Sequence, residues 1–424
     1  MARNVFLNAS LLDGTSPARR CDVIVDGDRI DFVSSDRVAA NPCNPDDTVI
    51  DLAGKTLMPG MVAGHMHLTY HNLDVFDLMG ADMKYPAPYL GVAAAHNARV
   101  TLEAGFTSGI GAGGTYNMDV VLKQLIADGL AVGPRIVACG KDFAVTGHCA
   151  VDYKNELWMS GQTAIGEICN SPDEFRRSIR AEAKRGVEVI KLFVEGGHGI
   201  PTATSRMSYD EIAAAAEAAH LCGIRIRAHA YSRDMIKQCL KAGVDIIDHC
   251  DQMDDEIIET CVAQGTFVLP SLYHLTLMDG ITHSADDRQR WFDYARTILP
   301  KAIKAGVKLV TGDDFGTLQG PHGDNAKELS IYTDEIGIDP LEVIRWATVN
   351  GAAMMQNDEL GVIAVGNLAD LIVVDGDPLA DMGILARPGG IVHVMQGGKV
   401  IRSDLDFDTA DRVSSHRDRT PAPA

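Results

Sequence analysis

Metal-binding side chains stand at the ends of several apolar runs in the sequence. His65 and His67 close one such run and are separated by a single residue. In a β-strand, residues i and i+2 project to the same side, so both imidazoles are predicted to point the same way. Other runs end at His229, at His249 and at Asp313. Imidazoles and carboxylates bind zinc and similar divalent ions, so the sequence predicts a metal site. Each residue taken alone is more typical of a hydrogen-bonded structural side chain, and it is their recurrence that favours the metal.

A lysine belongs to the same pattern. Lys191 interrupts the apolar run Val187–Phe193. A buried lysine is costly unless it is paired or chemically altered. One interpretation is a salt-bridged lysine, or one whose ammonium group reaches solvent. The other is a lysine carboxylated by CO2, whose carbamate oxygens bridge two metal ions. The carbamate interpretation explains why a lysine side chain lies among so many predicted metal ligands.

Alternating strands and helices must position these residues. Short β-branched runs lead repeatedly into longer amphipathic segments, which is typical of a (β/α)8 barrel, whose active site lies at the carboxyl ends of the strands. A doubly wound sheet is the alternative, but no Gly-rich phosphate turn follows the first strand. The predicted strands are Leu57–His67, Thr107–Gly111, Arg135–Cys139, Val187–Phe193, Ile224–His229, Asp245–His249, Thr266–Pro270 and Lys308–Asp313. The predicted helices include Ala93–Glu103, Asp173–Arg185, Tyr209–Leu221, Ser232–Ala242 and Arg288–Ala305.

The sequence pattern at both ends of the chain differs from that of the middle and predicts short strands separated by turns. We predict one composite β-sandwich domain built from residues 1–57 and 359–408, around a barrel of residues 58–358. Residues 409–424 are charged and rich in Pro and Ala, and are predicted to form a flexible tail.

Composition excludes some partners. There are 58 acidic and 38 basic residues, a formal net charge of −20, which argues against binding to nucleic acid or to an anionic membrane. The nine cysteines are scattered and odd in number, so buried free thiols are expected rather than disulfides. Neither a signal peptide nor an apolar stretch of about 18 residues is evident, and a cytoplasmic enzyme is expected.

Longer motifs identify a family resemblance. Met58-Pro-Gly-Met-Val-Ala-Gly-His-Met-His67, Ala228-His-Ala-Tyr231 and the C-terminal segment from Ala347-Thr-Val-Asn-Gly-Ala352 to Asp370 resemble the amidohydrolase superfamily over nearly the whole chain. Within it, the chain is most similar to the imidazolonepropionase-like branch, which contains Xaa-Pro and Xaa-Arg dipeptidases and ochratoxin A amidohydrolases. Imidazolonepropionases themselves bind one metal and lack the lysine at the position of Lys191, which argues against that activity.

The resemblance implies a role for each ligand. His65, His67 and Asp313 would hold one divalent ion, most simply zinc, and His229 and His249 a second. A carbamate formed from CO2 on Lys191 would bridge the two. The family usually reads Gly-Thr-Asp at strand 8, whereas this chain reads Thr311-Gly-Asp-Asp314, so Asp314 stays an alternative to Asp313.

The resemblance also implies a mechanism, in which a hydroxide bridging the metals attacks the scissile carbonyl. Asp313 would carry the proton to the leaving nitrogen. Tyr231 would contact the substrate carboxylate or oxyanion. His148 is at a position where that branch carries a pocket histidine, and a surface-loop histidine is the alternative. His198 and His322, in loops after strands 4 and 8, are further predicted substrate contacts.

The sequence predicts hydrolysis of the amide bond of a small molecule: an N-acyl amino acid, a dipeptide or an aromatic amide. A carbamate, phenylurea or lactam hydrolase on the same metals is the alternative, and an inactive scaffold is a remote one. A homo-oligomer is expected.

Overall fold

The computed structural model describes residues 3–34, 46–71, 84–147, 166–196, 206–277, 279, 284–317 and 320–405. Within these residues the strands are β1 (Asn4–Leu11), β2 (Arg19–Asp26), β3 (Arg29–Ser34), β4 (Thr48–Asp51), β5 (Thr56–Pro59), β6 (Met61–Met66), β7 (Phe106–Gly111), β8 (Arg135–Val137), β9 (Asp142–Ala144), β10 (Gly166–Ile168), β11 (Val189–Phe193), β12 (Arg225–Ala230), β13 (Ile246–His249), β14 (Phe267–Leu269), β15 (Lys308–Leu309), β16 (Leu371–Val374), β17 (Ile391–Gln396) and β18 (Lys399–Ser403).

The helices pack mainly on the outside of the barrel strands. They are α1 (Ala87–Glu103), α2 (Met118–Ala127), α3 (Pro172–Arg185), α4 (Tyr209–Leu221), α5 (Arg233–Ala242), α6 (Asp255–Gln264), α7 (Leu272–Leu277), α8 (Ala285–Ala305), α9 (Lys327–Ser330), α10 (Pro340–Arg345) and α11 (Gly351–Met354). Two π-helical segments, Ile331–Ile336 and Trp346–Asn350, continue α9 and α10, and 3₁₀ turns cover Thr115–Asn117 and Met382–Leu385.

Eight parallel strands follow one another in the order predicted for the barrel. They are β6, β7, β8, β11, β12, β13, β14 and β15, hereafter barrel strands 1 to 8. They form a three-stranded sheet (β6-β7-β8) and part of a seven-stranded sheet (β10-β9-β11-β12-β13-β14-β15). Two backbone hydrogen bonds cross each gap. Glu188 N (2.8 Å) and Val189 N (3.2 Å) both donate to Ala138 O, while Gly64 N donates to Thr311 O (2.9 Å) and His67 N to Phe315 O (3.3 Å). The barrel therefore closes through isolated contacts rather than through a continuous ladder.

Local sequence determines where the barrel helices begin and end. Ser208 and Glu211 form a capping box at the start of α4, and the Asp254 side chain accepts a hydrogen bond from the backbone at the start of α6. Helices α3, α5, α6 and α8 each end at a glycine with φ between 72° and 95°. Glycine adopts this left-handed conformation without strain, so each helix stops there and the chain turns into the next strand.

A second, mixed sheet combines strands from both ends of the chain. Its order is β18-β17-β16-β5-β1-β2-β3, and β4 pairs with β1. The predicted strand Leu57–His67 is in fact two strands, because β5 pairs with β16 in this sheet whereas β6 opens the barrel. The break is at Gly60, whose N–H donates to Asp370 O (2.8 Å). The predicted domain boundaries stay a prediction, and residues 409–424 lie outside the described part of the chain.

Two further observations bear on the sequence expectations. Among the described residues no helix has the length and apolar character needed to cross a membrane. The seven cysteines in that part of the chain are all free thiols, and six of them are buried.

Candidate metal centre

The site begins where barrel strands 1 and 8 come together. His65 lies at the end of β6 and His67 follows it, and both side chains are buried. Gly64 allows this approach, because a Cβ at that position would lie 2.6 Å from Thr311 O. The segment after β15 can therefore pass directly beside the two histidines.

His65, His67 and Asp314 direct three ligand atoms at one point. Nε2 of His65 is 3.1 Å from Nε2 of His67, and Oδ1 of Asp314 is 2.6 Å from the first and 3.5 Å from the second. Ligand atoms of a tetrahedral zinc with bonds of about 2.1 Å lie about 3.4 Å apart. Two of the three distances are close to this value, and the third would have to lengthen by about 0.8 Å. The donor set therefore fits a divalent ion.

The structure gives Asp314 the place that the sequence analysis gave to Asp313. Asp313 Oδ2 instead accepts a hydrogen bond from the backbone N–H of His274 (2.7 Å). The physical reason is that β15 ends at Leu309, so the alternation of a strand no longer applies four residues later. A turn follows, with φ of 155° at Gly312 and 42° at Asp314. Asp313, Asp314 and His274 still form a second group whose ligand atoms lie within 4.8 Å of one another.

The other two predicted histidines extend the site along the barrel mouth. The ring centroids of His65 and His249 are 5.6 Å apart, and those of His249 and His229 are 4.4 Å apart. His249 Nδ1 is 2.8 Å from the Ser271 hydroxyl. The four imidazoles thus form a row across barrel strands 1, 6 and 5.

Lys191 lies in the barrel interior beside this row. Its Nζ donates to Asp248 Oδ2 (2.5 Å) and is 5.1 Å from the centroid of the Phe193 ring, which stacks on His229. Arg227 also binds Asp248, through Nε (3.0 Å) and Nη2. The sequence analysis foresaw Lys191 but not Arg227 or Asp248. Both interrupt apolar barrel strands, which is the same signal that singled out Lys191.

A buried carboxylate of β9 was also not foreseen. Asp142 pairs with Lys191 in the register between β9 and β11, and the Tyr70 hydroxyl is 3.4 Å from its Oδ2. Burial raises the pKa of Asp142 to about 8, although the charge of Lys191 opposes this. The Tyr70 ring stacks on His67 at a centroid distance of 4.5 Å, so Asp142 is connected to the metal-binding row.

The predicted substrate contacts have different outcomes. Tyr231 follows β12 two residues after His229, at the mouth of the barrel. His322 is half-buried, with Nε2 3.1 Å from Tyr70 O and Nδ1 3.4 Å from the Thr101 hydroxyl, so its ring nitrogens are engaged by the protein. Burial also lowers the pKa of His322 to about 4. His148 and His198 lie outside the described residues.

Electrostatics favours a cation at the row of imidazoles. Burial lowers the pKa of His65, which keeps its ring neutral and available as a ligand. Burial acts to raise the pKa of Asp314, but the neighbouring His65 and His67 bring it well below its usual range. An ionised carboxylate beside a neutral imidazole is the protonation state that binds a divalent metal.

Comparison with known proteins assigns the family. The model of the amidohydrolase family matches residues 56–401. The chain belongs to the amidohydrolase family. It is 26% identical to the ochratoxinase of Aspergillus niger over 374 residues, which cover 82% of this chain and 75% of that protein. It is 26% identical to the imidazolonepropionase of Cutibacterium acnes over 411 residues, 92% of this chain and 93% of that one.

A solved structure supports the same assignment. The crystal structure of a Xaa-Pro dipeptidase with bound methionine in the active site is 28% identical, with a TM-score of 0.80, and the match covers 94% of this chain and 99% of that one. These likenesses confirm the predicted fold, a (β/α)8 barrel with a composite β domain. The chain is therefore a hydrolase that acts on amide or other C–N bonds.

Proposed function

We propose that this amidohydrolase uses two divalent ions to cleave the amide bond of an N-acyl amino acid, a dipeptide or an aromatic amide. The observation that carries the proposal is the row of four buried imidazoles, with Asp314 at one end and Lys191 beside the other. The ochratoxinase and the Xaa-Pro dipeptidase support the substrate class, since one acts by name on ochratoxin and the other on dipeptides.

The chain offers ligands for both ions. His65, His67 and Asp314 would hold one ion, and His229 and His249 the other, with carboxylated Lys191 between them. Zinc is the simplest choice, because the donors are nitrogen and oxygen atoms. When bound, such ions supply a nucleophilic hydroxide near neutral pH and polarise the scissile carbonyl.

The chain's own residues complete the chemistry. Hydrolysis breaks the C–N bond, transfers the oxygen of water to the acyl carbon and leaves a proton on the departing nitrogen. Asp314 accepts that proton from the water and returns it to the nitrogen, a role for which its ionised state is suited. Asp248 accepts hydrogen bonds from both Lys191 Nζ and Arg227 Nε, and so holds Lys191 beside the row.

The test is a substrate panel on the purified, metal-analysed protein. It contains N-acyl amino acids, dipeptides, aromatic amides, carbamates, phenylureas and lactams. We expect the wild type to turn over at least one amide or dipeptide. The matched Asp314→Asn variant should turn over none of these compounds at a rate comparable to that of the wild type. Turnover of carbamates, phenylureas or lactams alone would assign the alternative activity, and no turnover of any compound by metal-loaded protein would favour the inactive scaffold. A homo-oligomeric state and a cytoplasmic location stay predictions.

A further inference from the structure

The turn after barrel strand 1 places a tyrosine ring against a metal-binding histidine. The Tyr70 ring is stacked on the His67 imidazole, with the ring centroids 4.5 Å apart and the planes inclined by 3°. Both side chains are buried, and the backbone N–H of Tyr70 donates to His67 O (2.8 Å). His67 Nδ1 is 3.0 Å from Gly113 O, and because a carbonyl oxygen only accepts, Nδ1 carries the proton and Nε2 is left for a metal. The His67 ring is therefore held by Gly113 at its edge and by Tyr70 on its face.

The backbone carbonyl of Tyr70 is held by residues that are distant in the sequence. His322 Nε2 lies 3.1 Å from Tyr70 O, and Asn97 Nδ2 donates to the same oxygen (2.7 Å). His322 Nε2 carries the proton, since its partner can only accept. Its Nδ1 then accepts from the hydroxyl of Thr101, at 3.4 Å, and Thr101 lies on α1 together with Asn97. Both ring nitrogens of His322 thus connect the turn to the protein around it.

Close packing connects the same turn to the segment that carries Asp314. A Cβ at Gly316 would lie 2.8 Å from His67 O, 3.0 Å from His322 Nε2 and 3.2 Å from Tyr70 Cβ. The φ of Gly316 is 130°, which a residue with a side chain rarely adopts. Only glycine fits at this position, so the loop after barrel strand 8 lies directly against the turn after barrel strand 1. His322 joins the two segments that supply Asp314 and His67.

We propose that His322 is a positioning residue of the metal centre. Its Nε2–H holds the Tyr70 carbonyl, and the Tyr70 ring in turn holds the His67 imidazole in the plane that presents Nε2 to the ion. This inference rests on the proposed function, since it concerns the ion that His65, His67 and Asp314 would hold. It replaces the predicted substrate contact of His322, because a residue that acts through Tyr70 should change metal affinity and leave substrate affinity alone.

Two amide substitutions separate the hydrogen bond from the bulk of the side chain. In His322→Gln the amide nitrogen can take the place of Nε2 and still donate to Tyr70 O. In His322→Asn the shorter side chain ends where Nδ1 was, so the bond to Tyr70 O is lost. His322 is half-buried, so either amide can be accommodated, and unchanged thermal unfolding of the metal-free proteins shows that the fold is intact.

Zinc affinity is measured on each purified, chelator-stripped protein by competition with a chromophoric chelator. The KM for the fastest amide of the panel is measured with excess zinc. We expect His322→Asn to weaken the binding of one zinc ion by about 10- to 100-fold, and His322→Gln to stay within about threefold of the wild type. The KM should change by less than about threefold in both variants.

A further pair of variants tests the connection through Tyr70. Tyr70→Leu removes the stacked ring and keeps the backbone carbonyl. We expect this change to weaken zinc binding by about 10-fold or more, and the double variant with His322→Asn to bind zinc no more than about threefold more weakly than Tyr70→Leu alone. Losses that simply multiply in the double variant would show that His322 does not act through Tyr70, and would overturn the proposal.

The proposal is also overturned if His322→Asn or Tyr70→Leu keeps the zinc affinity of the wild type, or if His322→Gln loses as much affinity as His322→Asn. A raised KM with unchanged zinc affinity would overturn it and return His322 to the substrate contacts. A wild type that binds zinc but hydrolyses no amide would refute the proposed function alone, and the zinc comparison would still decide on His322. A wild type that binds no zinc would refute both.

Discussion

Adjacent aspartates after barrel strand 8 allow a sharp test of the site. In the structure Asp314 Oδ1 is 2.6 Å from Nε2 of His65, whereas Asp313 Oδ2 accepts the backbone N–H of His274. Asp314→Asn removes both a charged ligand and the proposed proton carrier. General acid–base catalysis alone contributes about 10²- to 10⁴-fold in rate, or about 3 to 5 kcal/mol of transition-state stabilisation.

The matched change, Asp313→Asn, should cost much less. Its amide oxygen can still accept the hydrogen bond from the His274 N–H, without the charge of the carboxylate. A charge-assisted bond is about twice as strong as a neutral one of about 1 kcal/mol, so the loss is about 1 kcal/mol, or roughly fivefold in rate.

Both variants are compared with the wild type by kcat on one amide substrate and by bound metal per chain from elemental mass spectrometry. We expect Asp314→Asn to lose at least about 100-fold in kcat together with part of its metal, and Asp313→Asn to stay within about tenfold. If Asp313→Asn lost more kcat and metal than Asp314→Asn, Asp313 would be the ligand and the proton carrier. Equally small losses in both variants would show that neither residue takes part in the chemistry.

Three other outcomes are expected. Lys191→Ala should lose most metal and nearly all activity, and short carboxylic acids should restore part of it; full activity without added acid would refute the bridging carbamate. Arg227→Met should lower the free energy of unfolding in urea by about 3 to 5 kcal/mol, because it leaves the buried Asp248 charge without its main partner, and an unchanged midpoint would contradict this. Burial lowers the pKa of His393 to about 4, from an ordinary value of about 6.5. On acidification His393 therefore takes up a proton in the unfolded chain at a higher pH than in the folded chain. The free energy of unfolding consequently decreases as pH falls from about 6.5 to 4, by at most about 3 kcal/mol. His393→Gln should remove that part of the pH dependence of unfolding, and an identical pH profile for the variant would show that His393 does not cause it.

Most of the barrel could be predicted from the sequence, because its strands are short apolar runs followed by amphipathic helices. The run Val187–Phe193 became β11 (Val189–Phe193), and the histidine-ended runs became barrel strands 5 and 6. Burial on both faces makes such runs conspicuous in a parallel sheet. The predicted helix Arg288–Ala305 begins earlier, at Ala285, since Ser284 and Asp287 form a capping box that the apolar pattern does not reveal.

The parts of the site that were missed depend on geometry outside the strands. The alternation of side chains in a strand correctly placed His65 and His67 on the same side. It does not apply after β15, which ends at Leu309, so the sequence could not choose between Asp313 and Asp314. Asp142 is 72 residues from Tyr70 in the chain, and only folding brings its carboxylate to the Tyr70 hydroxyl. Contacts of this kind are set by tertiary packing and leave no local periodicity to read.

The most direct test of the central claim is a metal titration. The purified chain is stripped with a chelator, then titrated with Zn²⁺ while amide hydrolysis is followed. We expect an inactive stripped protein whose activity rises with added metal and saturates at two ions per chain. Full activity of the stripped protein would contradict a metal-dependent hydrolase, and saturation at one ion per chain would contradict the binuclear centre.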